Sequence, residues 1–344
     1  MLHACGHVQP GAAWARRGCS MGQVKPALDD LLDRLHVVAL PMRVRFRGID
    51  VREIALIEGP AGWGEFGPFL EYGPAEAAVW LASAIEAAYA EPPKPHRDRI
   101  PINATVPAVP AAQVPEVLAS FPGARTAKVK VAEPGQTLDD DVARVNAARA
   151  VVPTVRVDAN GGWSVAQAVA AARALTADGT LEYLEQPCAT VAELAELRRL
   201  IDVPVAADES IRKADDPLRV VGANAADVAV LKVAPLGGVA RTLDIAARIG
   251  LPVVVSSALD SAVGIARGLL AAGCLLDLRH ACGLGTGGLF VEDVAEPVAP
   301  VHGCLPVRSV TPDPERLATL AVSAQRRQWW IDRTTECASV LSAH

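Results

Sequence analysis

The sequence predicts an α/β protein in which a small α+β unit precedes a (β/α) barrel. Three observations carry this. From about Ile102 onward, short Val-, Ala- and Ile-rich runs alternate with Ala-rich helical stretches, the texture of βα units around a parallel sheet. The runs begin near Asn103, Ala127, Val155, Glu182, Val205, Val228, Val253 and Ala281, so successive starts lie 23 to 28 residues apart. Before them, from Leu35 to Gly67, strand-like segments break at Gly and Pro with no intervening helix. An open doubly wound sheet is the alternative that this spacing leaves standing.

Composition limits the function classes. The chain has 344 residues, 51% hydrophobic, 21% charged and 4% aromatic, enough for one large domain and a smaller one. Its formal net charge is −6, from 33 basic and 39 acidic residues, with no basic block or stripe. That argues against a nucleic-acid partner and a polybasic membrane anchor, and for a small molecule. Cysteines at 5, 19, 188, 274, 282, 304 and 337 form no Cys-x-x-Cys, so neither a disulfide framework nor a thiolate zinc site is indicated, and a reducing cytoplasmic location is expected. No run nears the roughly 18 apolar residues of a membrane span, so no membrane insertion is expected.

In chain order, residues 1–21 lack the continuous apolar segment of a signal peptide and read as a disordered tail, with Met21 as an alternative start. "HVVALPMRVRFRGI", "VREIALIEG" and "GWGEFGPF" read as strands, and "PAEAAVWLASAIEAAYA" as a helix begun by Pro74. "GWGEF" fits either a loop closing over a site or a hairpin with Trp63 in the core. Eight barrel strands then follow, and "RQWWIDR" near the end can pack back on the first unit.

A barrel places its active site at the C-terminal strand ends. The second strand ends with Lys128 and Lys130, which share a face because an extended chain alternates with period two. Lysines on an edge strand are the plain alternative. The next strands end "VRVDAN", "EYLEQP" and "VAADES", delivering Asp158 with Asn160, then Glu185, then Asp208 with Glu209. "AVLKVAP" adds Lys232. Any single acid reads equally well as a helix cap or a solvated strand end. Carboxylates from three consecutive strands repel one another unless a cation compensates them, and all-oxygen ligation favours Mg²⁺, with Mn²⁺ as substitute. A substrate carboxylate held there would present its α-proton to a lysine. Lysine is a poor base at about 10.4, but burial and a neighbouring amine both depress that value. Lys128 is therefore expected to tune and position Lys130, which lies nearer the rim.

The motifs "KVK", "DAN", "LEQP", "ADES" and "VLK", in this order, resemble the enolase superfamily, muconate-lactonizing subgroup. "PINATVPAV" and "SSALDSAVGIARGLLAAG" are similar to the actinobacterial-type o-succinylbenzoate synthases. The resemblance covers almost the whole chain after Met21. It implies a (β/α)₇β TIM-like barrel under an α+β capping domain built from the N-terminal unit and the C-terminal tail. The expected division is residues 22–104 for the N-terminal part of the cap, 105–299 for the barrel and 300–344 for the C-terminal segment. It implies Asp158, Glu185 and Asp208 as Mg²⁺ ligands, Lys130 as the acid/base, and Lys232 as the group stabilising an enediolate from the opposite face. The implied reaction is syn elimination of water from 2-succinyl-6-hydroxy-2,4-cyclohexadiene-1-carboxylate, a dicarboxylate, in menaquinone biosynthesis.

Other stretches have paired readings. Ser256 and Ser257 either hydrogen-bond the succinyl tail or cap the next helix. "CGLGTGG" contains Gly-x-Gly-x-x-Gly, but no helix opens after it, so the dinucleotide reading fails; its backbone amides, at Gly287 among others, are candidates for a substrate carboxylate. Arg43, Arg45 and Arg47 share a strand face, where solvation is favoured over substrate contact. His280 reads as structural. The rival functions are N-succinylamino acid racemisation or cycloisomerisation on the same intermediate, and a catalytically silent metal-binding barrel. Oligomeric state is left open, with a monomer compatible.

Overall fold

The computed structural model describes residues 26–46, 48–212 and 216–343. The expected N-terminal tail and Arg47 therefore lie outside the described residues. The first unit comprises α1 (Leu28–Asp33), β1 (Leu35–Phe46), β2 (Ile49–Gly59), β3 (Gly62–Phe66) and α2 (Pro74–Tyr89). The strands form an antiparallel sheet in the order β1-β2-β3, with Leu40 opposite Arg52 and Leu56 opposite Glu65. "GWGEF" is thus the last strand of this sheet and not a lid. Trp63 is only partly buried, its ring 5.2 Å from that of His36.

Helix α2 lies close on β3 because small residues face each other. A Cβ on Gly64 would sit 2.0 Å from the backbone oxygen of Ala84. Backbone cannot yield as a side-chain tip can, so Gly64→Ala should cost about 1–3 kcal/mol, the range for overpacking a dense core. Thermal unfolding checks this, and an unchanged midpoint would show that α2 moves away freely.

The remaining elements are β4 (Arg99–Pro101), β5 (Ala104–Val106), α3 (Val114–Ala119), β6 (Thr126–Lys130), α4 (Leu138–Arg149), β7 (Thr154–Asp158), α5 (Val165–Thr176), β8 (Leu184–Glu185) and α6 (Val191–Leu197). They continue through β9 (Val205–Ala207), α7 (Glu209–Arg212), α8 (Arg219–Gly222), β10 (Val228–Lys232), α9 (Val233–Leu236), α10 (Val239–Ile249), β11 (Val253–Ser256) and α11 (Ala262–Cys274). The chain closes with β12 (Cys304–Pro306), α12 (Pro314–Thr319) and α13 (Ala324–Ser342). Strands β5 to β11 make one seven-stranded parallel sheet in sequential order. Capping boxes at Thr137, Ser164 and Thr190 start α4, α5 and α6, each satisfying orphan amides at a helix N-terminus.

The sheet closes into a barrel through two residues. Cys282 bridges to Ile102 and Gly283 to Ser256, both parallel. The strand expected from Ala281 is therefore reduced to this seam, because the glycines after it weaken extended pairing and the chain turns into a short 3₁₀ segment at Thr286–Leu289. The strand expected from Glu182 is likewise cut to Leu184–Glu185, ended by Pro187.

Period-two alternation separates two cores. Outward residues such as Ala127, Val129, Val155, Val157, Leu231 and Val255 join the helices in the main core. Inward residues Tyr183, Ala206, Val228, Val230 and Val254 fill the barrel interior. The next inward positions along the same strands are Glu185, Asp208, Lys232 and Ser256. His280 is structural here: its Nδ1 lies 2.8 Å from Glu182, which also accepts from Arg156 Nε at 2.8 Å.

The C-terminal segment returns to the first unit. Ala39 N–H donates to Leu320 O at 2.9 Å, Trp330 is fully buried and donates to Glu53 at 3.1 Å, and Arg333 holds the carbonyls of Phe69 and Tyr72. The cap's apolar core then runs on into Ala258, Leu259 and Val263 of the barrel.

Candidate active site

Strand register brings the charged ends together. Lys130 is opposite Asp158, and Asp158 opposite Glu185, while Asp208 directly follows β9. Lys128, Asp158, Glu185, Asp208 and Lys232 are all buried, and Lys130 is partly buried. Lys128 Nζ lies 3.0 Å from Asp158 Oδ2 and 2.8 Å from Glu185 Oε1. Lys130 Nζ lies 2.5 Å from the same Asp158 oxygen and 2.6 Å from Asn160 Oδ1. Across the barrel, Lys232 Nζ lies 2.5 Å from Asp208 Oδ2, whose other oxygen accepts from Arg212 Nε at 3.2 Å.

These pairs shift the acids unequally. Burial pushes Asp158 up, but Lys128 and Lys130 overcome it and hold the carboxyl well below its usual range. Burial also acts on Asp208, where Lys232 and Arg212 prevail and hold it at about 2. Glu185 goes the other way, raised to about 7 by burial and then by the Asp158 charge. Burial pulls the Lys130 amine down, with the Lys128 charge acting alongside and Asp158 opposing. That is the direction expected for the lysine pair. For Lys128 itself, burial is outweighed by Asp158 and Glu185, and the amine lies well above its usual value.

The strand ends are braced by backbone that ordinary residues seldom adopt. Asn160 and Gln186 have φ of 47° and 38°. Gln186 accepts from the amides of Asp208 and Ser210 at 3.0 and 3.1 Å, locking the end of β8 to that of β9. Asn160 donates to Glu209 at 3.2 Å, and Arg212 donates to Glu209 at 2.7 Å, so a polar chain runs from Arg212 to Lys130.

Lys128, Lys130 and Lys232 line one small cavity of about 30 Å³ with Asp158, Asn160, Ser256 and Ser257. Thr105 and Thr286 also line it. Ser257 and Thr286 hydroxyls are 2.7 Å apart, and Ser257 Oγ donates to Gly283 O at 3.1 Å. Neither serine caps a helix; Ser261 does that for α11. Gly287 lies instead on the wall of a cavity of about 620 Å³ beside α11, and Thr286 is the residue of that run facing the lysines. None of the strand-end lysines or carboxylates lines the larger cavity, so volume does not mark the chemistry here. Arg43 and Arg45 are exposed, in keeping with solvation.

Sequence reasoning missed Arg212, Thr105 and Thr286. Arg212 had a readable signal, four residues after Asp208 on a short helix. The threonines had none, because only barrel closure turns them to the cavity.

Comparison with known proteins decides the family. Residues 111–313 match the Enolase C-terminal domain-like family and residues 37–88 the Enolase N-terminal domain-like family. An o-succinylbenzoate synthase from Mycolicibacterium smegmatis is 76% identical over 316 residues, covering 92% of this chain and 98% of the relative. The o-succinylbenzoate synthase from Mycobacterium tuberculosis is 76% identical over 318 residues, with the same coverage. The chain belongs to the o-succinylbenzoate synthase family of the enolase superfamily. Solved structures agree on the fold. Muconate lactonizing enzyme from Pseudomonas fluorescens, complexed with muconolactone, superposes with a TM-score of 0.71 at 23% identity, over 84% of this chain and 98% of the other. N-succinyl Arg/Lys racemase from Bacillus cereus gives 0.69 at 18% identity, over 84% and 97%. This o-succinylbenzoate synthase family member carries its charged cluster at the C-terminal ends of the barrel strands. Among the described residues no helix is long and apolar enough to cross a membrane.

Proposed function

We propose that this chain catalyses, in the cytoplasm, the Mg²⁺-dependent syn-dehydration of 2-succinyl-6-hydroxy-2,4-cyclohexadiene-1-carboxylate to 2-succinylbenzoate for menaquinone biosynthesis. The observation that carries the reading is the pair of lysines entering one cavity from β6 and β10, with three carboxylate-bearing strands between them.

Asp158, Glu185 and Asp208 fit a hard divalent cation by donor chemistry: oxygen only, from three adjacent strands, with no His or Cys beside them. As they stand, each is engaged by a lysine, and among the described residues no three such side chains are grouped closely enough to hold a metal. A bound cation would take over the oxygens that Lys128, Lys130 and Lys232 now engage. Mg²⁺, or Mn²⁺ in its place, would hold the substrate carboxylate and offset the second negative charge that forms on it.

Lys130 takes the α-proton as its free amine, the form that burial and Lys128 favour. The same Nζ then returns that proton to the departing hydroxyl, so water leaves and the ring becomes aromatic. Lys232 faces the developing enediolate from the other side as an ammonium. Asn160 aims Lys130, and Ser256, Ser257 and Thr286 offer hydroxyls to the succinyl tail. A racemase acting on N-succinyl amino acids is the second reading, favoured by the same two opposed lysines; it needs proton exchange at both.

Loss of diene absorbance measures the dehydration directly. EDTA is expected to abolish turnover and Mg²⁺ to restore it. Folded, Mg²⁺-loaded protein that leaves the diene untouched would overturn the assignment.

A further inference from the structure

Two buried polar residues of the capping sheet, an arginine and a glutamate, do not line the cavity, yet both hold the loop that walls it. Arg52 on β2 is 2% exposed; its Nε donates to Leu259 O at 3.2 Å, and its guanidinium also donates to Gly67 O. Glu65 on β3 is 6% exposed; it accepts from Ser261 N–H at 3.0 Å, from the Ser261 hydroxyl at 2.5 Å, and from Gly264 N–H at 3.1 Å. The held segment joins β11 to α11. Within it, Ala258 and Leu259 line the small cavity beside Lys232 and Ser257.

The loop needs such holding. Leu259 has a φ of 63°, a left-handed conformation that is unfavourable for a residue with a side chain and persists only where surroundings over-determine it. Its side chain is buried in the cap's core while its carbonyl is taken by Arg52. Contact is tight at the other end too, where a Cβ on Gly264 would sit 2.9 Å from Glu65 Oε2. Burying a carboxylate here is unfavourable, and burial, with the Asp260 charge adding, raises Glu65 to about 8. An acid kept at such a position, with three donors aimed at it, holds the loop by directional bonds that an apolar residue could not make.

We propose that Arg52 and Glu65 are positioning residues: through Leu259 and Ser261 they set the cavity wall formed by residues 257–259, so that two cap residues that do not line the cavity govern substrate fit. This deepens the dehydratase reading and rests on it for the identity of the substrate, though not for the placement of the loop.

Arg52→Lys keeps the charge but loses the fork that spans two carbonyls, and Glu65→Leu keeps much of the bulk but removes the acceptor that three donors share. Hydrogen exchange and steady-state kinetics on both variants test the proposal. Exchange at the amides of residues 258–264 is expected to quicken about tenfold, the equivalent of one lost hydrogen bond, while the Gln186 amide between β8 and β9 is unchanged. KM for the diene is expected to rise about tenfold with kcat within about threefold. The Arg52→Lys, Glu65→Leu double variant should fall short of the product of the singles, because both act on one loop. Unchanged exchange in the segment would overturn the proposal, as would protection lost throughout the barrel with kcat and KM failing together. If one variant does not fold, the other decides. Exchange reads the loop whatever acid is turned over, so an inactive wild-type protein would sink the dehydratase reading alone.

Discussion

Lys130→Ala should lower kcat for loss of the diene by about 10³–10⁴-fold, the upper range for removing a positioned general acid–base group. Lys232→Ala should lower it by about 10²–10³-fold, as for a group that only stabilises developing charge. The inequality is the informative part. In a syn elimination one amine handles both proton transfers, so the second lysine contributes electrostatics alone. Racemisation needs both amines as proton carriers, and there the two variants should fail equally. Stopped-flow absorbance at saturating Mg²⁺ measures diene loss in both variants, and equal losses would overturn this division of labour between the two lysines. Lys128→Ala is a poor substitute for either test, since it would remove one of the two lysines on Asp158 and the lysine on Glu185 together.

Asp208→Asn should be costly in two separable ways. Without metal, the carboxylate is fully buried as the partner of Lys232 at 2.5 Å and of Arg212 at 3.2 Å. Removing one member of a buried ion pair leaves uncompensated charge and typically costs about 3–5 kcal/mol. Urea unfolding in EDTA should show this loss. With metal, one of three donors is gone and turnover should fall by about 10²–10³-fold. A variant as stable as the parent in EDTA would mean that Lys232 and Arg212 find other partners. A variant fully active in Mg²⁺ would remove Asp208 from the proposed ligand set.

The convergence of the candidate site residues was legible because they obey local rules. Lys128 and Lys130 share a face by the period of a strand, and the acids stand where three strands end. Register then places Lys130 beside Asp158 and Asp158 beside Glu185, as repeated βα units require. Gly287 was misplaced for an equally physical reason. A glycine run has no side-chain period, so nothing in it tells which residue faces inward. Thr286, one position earlier, takes that place through its contact with Ser257.

The sequence by itself determined the order and chemistry of the strand ends, the division between sheet-rich beginning and βα repeat, and the return of the tryptophan-bearing tail as an expectation. The first two follow from alternation, capping and spacing within some thirty residues of chain. Tertiary structure alone decided closure of the barrel through Cys282 and Gly283, the pairing of each lysine with its acid, and the grip of Arg52 and Glu65 on a loop 207 and 196 residues away. Contacts at that separation depend on how two cores pack against each other. No local period encodes that packing.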